Sequence, residues 1–126
     1  MVNSFKKEKI SAMILKVAED YINLGETLEE RENYLRSACS AWNIACLSPK
    51  AREPAIKQYI EQFQKINNTD TVGCKELEEN LRLLIEKKIK MYPYVNIQIA
   101  NSRLEHINGQ DHVFVVSINA GFGASV

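Results

Sequence analysis

The sequence predicts an α+β fold: a four-helix bundle-like N-terminal part followed by a C-terminal antiparallel β-hairpin packed on the helices. Two observations carry that expectation. Apolar residues recur at three- and four-residue spacing as far as Tyr92, and beyond Pro93 the period changes to two around an Asn108-Gly109 pair. A chain of 126 residues fits a single domain, and one of this size buries roughly two-thirds of the surface its unfolded form exposes. We therefore expect residues 1–126 to form one globular unit.

The first helix is expected over about residues 4–24, with Ile10, Met13, Ile14, Val17, Tyr21 and Leu24 on one face. Gly25 stands where a helix C-terminus favours positive φ. Thr27-Leu28-Glu29-Glu30 then reads as a capping box: the threonine oxygen accepts from the Glu30 amide, and the glutamate reaches back to the Thr27 amide. A second helix over 28–47 begins with charged turns (Glu29, Glu30, Arg31, Glu32, Arg36). It ends in Ala38-Cys39-Ser40-Ala41-Trp42-Asn43-Ile44-Ala45-Cys46-Leu47, which is apolar on nearly every side and so belongs at the centre of the bundle.

Ser48-Pro49 supplies a cap and an N1 proline. Pro54 lacks an amide hydrogen and should interrupt the helix, so one isolated turn is expected before a third helix over 54–67, striped by Ile56, Tyr59, Ile60, Phe63 and Ile66. Asp70 or Thr71 caps a fourth helix over 72–92. Its stripe is Cys74, Leu77, Leu81, Leu84, Ile85, Ile89 and Tyr92. Glu78–Arg82 and Glu86–Lys90 stand at supporting i,i+4 spacing, and Lys87, Lys88 and Lys90 complement the dipole at its carbonyl end.

Strands are expected over 94–107 and 110–119, with 120–126 as a loose tail. A two-residue Asn-Gly turn pairs Ile107 with Gln110 and predicts Leu104 opposite Val113, Arg103 opposite Phe114, Asn101 opposite Val116 and Ile99 opposite Ile118. One face then collects Val95, Ile97, Ile99, Phe114, Val116 and Ile118, to be covered by the first and fourth helices. A three-residue loop would flip one strand and mix apolar with polar side chains on both faces.

The composition excludes several classes of function. With 45% hydrophobic and 25% charged residues the chain is neither disordered nor fibrous. Sixteen basic residues balance sixteen acidic ones, so no global field draws in nucleic acid or an anionic membrane. Residues 1–9 lack the apolar stretch of a signal peptide, and no apolar run approaches the ~20 residues of a membrane span. Cys39, Cys46 and Cys74 are odd in number and lack CxxC spacing. That is not a secreted disulfide framework, and a cytoplasmic location is expected.

No catalytic, cofactor or metal constellation can be assembled. The hairpin register sends His106 and His112 to opposite faces, which prevents them from sharing an ion, and gives each a cross-strand carboxylate: Asp111 for His106, Glu105 for His112. Cys39 and Cys46 lie about 10 Å apart along one helix, too far for a disulfide, and no base is placed beside either. Gly121-Phe122-Gly123 precedes no helix and is not a phosphate loop. The helical carboxylates alternate with lysines and arginines as a solvated face does. The lysines of both basic clusters are diluted by glutamates, and the third helix, as a would-be recognition helix, carries a mixed face of Lys57, Gln58, Glu61, Gln62 and Lys65.

Two features remain. Arg36, Ser40 and Asn43 align as a polar stripe on the second helix, read either as a hydrogen-bonded seam at the bundle edge or as a small polar pocket. The second strand, with Val113, Val115 and Ser117 along one edge, is rich in β-formers and carries no proline or lysine to guard that edge. We therefore expect a small cytoplasmic, non-enzymatic protein-interaction or regulatory protein, a homodimer joined through its hairpin edge. The alternative is a small-ligand or nucleic-acid-binding regulatory protein using the Arg36–Ser40–Asn43 stripe or the lysines of the fourth helix.

Overall fold

The computed structural model describes residues 9–118. The expected start of the first helix at Ser4 and the tail 120–126 lie outside them. Four helices, α1 (Ile10–Ile22), α2 (Leu28–Ala45), α3 (Pro49–Asn67) and α4 (Thr71–Met91), precede a two-stranded antiparallel hairpin, β1 (Gln98–Ile107) and β2 (Gln110–Ile118). The α+β expectation holds, with the hairpin packed on helices.

The α1–α2 boundary shows local chemistry at work. Thr27 Oγ1 accepts from the Glu30 amide at 3.1 Å, half of the capping box. The Glu30 carboxylate reaches one residue further back than expected and accepts from the Glu26 amide at 2.7 Å. Gly25 is not needed for positive φ, as Gly109 is the only described glycine with it. Gly25 is buried, and a Cβ there would stand 2.7 Å from the Arg31 amide nitrogen. Close approach of the α2 backbone is what requires glycine.

Helix α2 is the spine. It packs against α1, α3, α4 and β1, and Leu35, Ala38, Cys39, Ala41, Trp42, Ile44 and Ala45 are all buried, as an all-round apolar helix must be. Pro54 does not break α3, which runs unbroken from Pro49. The proline sits near the N-terminus on an exposed face, so the only carbonyl it orphans, that of Lys50, can turn to water. Asp70 rather than Thr71 caps α4, accepting from the Gly73 amide at 2.8 Å.

In the hairpin, Asn108 (φ 54°) and Gly109 (φ 79°) make the doubly positive-φ turn that Asn-Gly favours. The predicted register holds from Ile107↔Gln110 through Asn101↔Val116. It then shifts by one at Ala100, so that Ile99 lies opposite Ser117 instead of Ile118. This bulge corrects the expected apolar face. A strand without it would put Ile99 and Leu104 on opposite faces; the extra residue brings both against the helices, where both are buried. Val113 and Val115 pack on the same core, while Phe114, Val116 and Ile118 face away from it and are exposed. Of the two helices expected to cover the hairpin, α1 lies against β2 as expected, but α2 rather than α4 lies against β1.

Candidate functional site

The two edges of the hairpin are treated differently. Along β1, side chains of α2 take the place of a third strand. Asn43 makes a reciprocal pair with Ile99: its Nδ2 donates to the Ile99 carbonyl at 2.9 Å, and the Ile99 amide donates to its Oδ1 at 2.7 Å. The Trp42 indole N–H donates to the Ile97 carbonyl at 2.7 Å, and the Leu104 amide donates to Glu32 Oε2 at 3.2 Å. At the entrance to the strand, Lys88 Nζ donates to the Val95 carbonyl at 2.6 Å. The sequence carries this pattern at positions 32, 42 and 43, but nothing local says that polar atoms there will meet backbone.

Among the described residues the outer edge of β2 has no such cover. Ile107 and Gln110 flank a two-residue turn and form its hydrogen-bonded pair, after which pairs alternate. The amides and carbonyls of Val113, Val115 and Ser117 therefore point away from β1. Among the described residues no helix or loop group bonds to them. The outward face beside this edge carries Phe114, Val116 (61% exposed) and Ile118. The Arg103 guanidinium stands 5.2 Å over the Phe114 ring and pairs with Glu105 at 2.6 Å.

Near the turn, Asp111 joins the hairpin to α2. His106 Nδ1 lies 2.8 Å from one carboxylate oxygen, and Arg31 Nε donates to the other at 2.6 Å. His106 foremost, with Arg31 adding to it, holds the Asp111 carboxyl below the usual carboxylate range. The expected His106–Asp111 pair is present. Glu105 and His112 are opposite in register, but Glu105 takes Arg103 as its partner.

The polar stripe of α2 is divided. Asn43 commits its amide to Ile99, and Arg36 is exposed and bonded to Asn33 and Glu32. Ser40 and Asn43 line a cleft of 330 Å³ between α2 and α3 with Gln58, Tyr59 and Gln62. Arg36 instead borders a separate 180 Å³ recess beside Cys39 and Ser102.

Sequence reasoning missed Lys88. Grouped there with the dipole-facing lysines, it is 1% exposed, and its ammonium lies 5.2 Å from the Trp42 ring centre. Burial holds it below the ordinary lysine value. Its signal was positional: it falls four residues after Leu84 and three after Ile85, on the apolar stripe itself. Burial likewise pushes the Cys39 thiol up to about 11 and raises that of Cys46, the latter against the opposing pull of Lys88. Both are poor nucleophiles near neutral pH. Among the described residues no three His, Cys, Asp or Glu side chains are grouped to hold a metal ion, and no helix is long and apolar enough to cross a membrane.

Comparison of the chain with protein-family models, curated proteins and solved structures returned no match. The geometry has to carry the functional reading.

Proposed function

We propose that this is a non-enzymatic protein-interaction module that self-associates through the outer edge of β2, joining two hairpins into a four-stranded antiparallel sheet. The observation that supports it is the asymmetry of the edges: side chains of α2 occupy the β1 backbone, while among the described residues nothing bonds to the β2 backbone at Val113, Val115 and Ser117, beside exposed Phe114, Val116 and Ile118. An open edge of this kind is a template for strand addition. Antiparallel pairing across a two-fold axis at Val115 sets Val113 opposite Ser117. It keeps both helix-covered faces on one side and brings the outward apolar residues of the copies together. Residues 113–118 carry no charge, so self-pairing meets no like-charge repulsion. The three free cysteines suit a reducing compartment, and we place the protein in the cytoplasm.

The test reads the edge itself. Amide hydrogen exchange at Val113, Val115 and Ser117 should slow as protein concentration rises into the tens of micromolar, in step with an increase in mass by light scattering. Val116→Lys, a charge on the exposed face, should abolish the concentration dependence of exchange at these amides while leaving the circular dichroism unchanged. Exchange at these amides that is independent of concentration would overturn the proposal.

The α2–α3 cleft supports a second reading, that of a small-ligand site. Ser40, Gln58 and Gln62 offer polar groups around 330 Å³, at the low end of ligand-pocket volumes. A thermal-shift screen with nucleotides and metabolites tests it: a hit lost in Gln58→Leu supports the cleft, and a screen without shifts overturns it.

A further inference from the structure

An apolar groove of the helical layer lies away from the hairpin, between α1 and α4. Val17, Tyr21 and Leu84 form its floor, and its volume is 330 Å³. On α1, Val17 and Tyr21 follow at i and i+4, with Leu24 in the turn just past the helix end; on α4, Leu83, Leu84 and Lys87 line the facing wall. Two features separate it from an ordinary surface furrow. Leu24 and Leu83 line it yet are each 64% exposed, which places large apolar side chains beside an apolar hollow that neither fills. The walls also carry opposite charges, Asp20 on α1 and Lys87 on α4, and among the described residues neither makes an ion pair.

We infer that this groove is a second self-association surface, in which two copies meet face to face about a two-fold axis running along the groove and each seats its Leu24 and Leu83 in the hollow of the other. The charges select that axis. A two-fold along the groove lays α1 of one copy over α4 of the other and sets Asp20 against the partner's Lys87 twice. A two-fold across the groove lays α1 over α1 and α4 over α4, bringing like charges together. The surface is thus self-complementary in both shape and charge, as an isologous contact must be. This inference does not rest on the hairpin edge. If both surfaces operate, the chain assembles beyond a dimer.

The experiment separates the two interfaces by working in the full-length Val116→Lys protein, where the hairpin edge is blocked. Sedimentation equilibrium should still show a monomer–dimer equilibrium. Asp20→Lys and Lys87→Asp should each weaken dimerisation by roughly tenfold or more, the order of close interfacial charge pairs. The exchanged protein Asp20→Lys/Lys87→Asp should recover the starting affinity. A fold defect cannot mimic that recovery, because each single change would have to be repaired by the other. A Val116→Lys protein that remains monomeric, or single variants that dimerise as well as their parent, would overturn the inference. Stronger dimerisation on removal of residues 1–8 would also overturn it, since the chain's own N-terminus would then be the occupant.

Discussion

Asn43 replaces a strand partner. Its amide group reproduces the paired donor and acceptor of a neighbouring backbone, bonding Ile99 at both N–H and C=O. Replacing it with leucine leaves two half-buried backbone groups without partners, at a cost of roughly 2–4 kcal/mol. Asn43→Leu should lower the urea midpoint accordingly without changing the m-value. A midpoint equal to wild type would mean that water meets Ile99 as well as Asn43 does. Tyr21 gives a pH-dependent counterpart. Burial raises its phenol to about 12 against a lowering hydrogen bond from Ser37, and Ser37 Oγ also lies 3.1 Å from the Tyr59 hydroxyl. A folded-state value above the unfolded one, near 10, means that the folded protein holds this proton more tightly. Its contribution to stability is therefore complete below about pH 10 and is lost as pH rises towards 12. Tyr21→Phe should flatten this part of the alkaline limb in denaturation measured across that range.

At the scale of elements, the bulge decides which face of the hairpin is inside. Deleting Ala100 removes the extra residue and leaves Ile99 four positions before Leu104, so a regular strand keeps both on the helix-covered face. We expect the Ala100 deletion to fold with a straightened β1 and with nuclear Overhauser contacts from both residues to α2 retained. Loss of either contact would show that the bulge does more than set which face each residue takes. Helix α3 illustrates the opposite balance. Only Ile56 of this helix is buried. Its link to α4 includes a two-pronged pair from Arg82 to Glu53 at 2.7 and 2.9 Å. Arg82 is 39% exposed, so solvent screens the pair and its net worth is small.

For the whole molecule, local signals were legible and distant ones were not. The Thr27 and Asp70 caps, the Asn108-Gly109 turn and the register as far as Asn101 follow from interactions within a few residues, and the sequence displays them directly. The Val113–Val115–Ser117 edge was legible for the same reason, since strand parity counted from the turn decides which backbone groups point outward. The pairing of Asn43 with Ile99 across 56 positions was not, and neither was the burial of Lys88. The groove between α1 and α4 escaped notice because its walls come from helices far apart in the chain. By itself, then, the sequence determined four helices, a two-residue turn and the parity of the strands near it, because propensity, capping and periodicity act over a turn or two. Only the tertiary structure decided which apolar residues were worth burying. Helix α2 offers one surface to the hairpin, and satisfying it with both Ile99 and Leu104 required a bulge at Ala100, left Phe114, Val116 and Ile118 outside, and drew the side chains of Asn43 and Trp42 onto the β1 backbone.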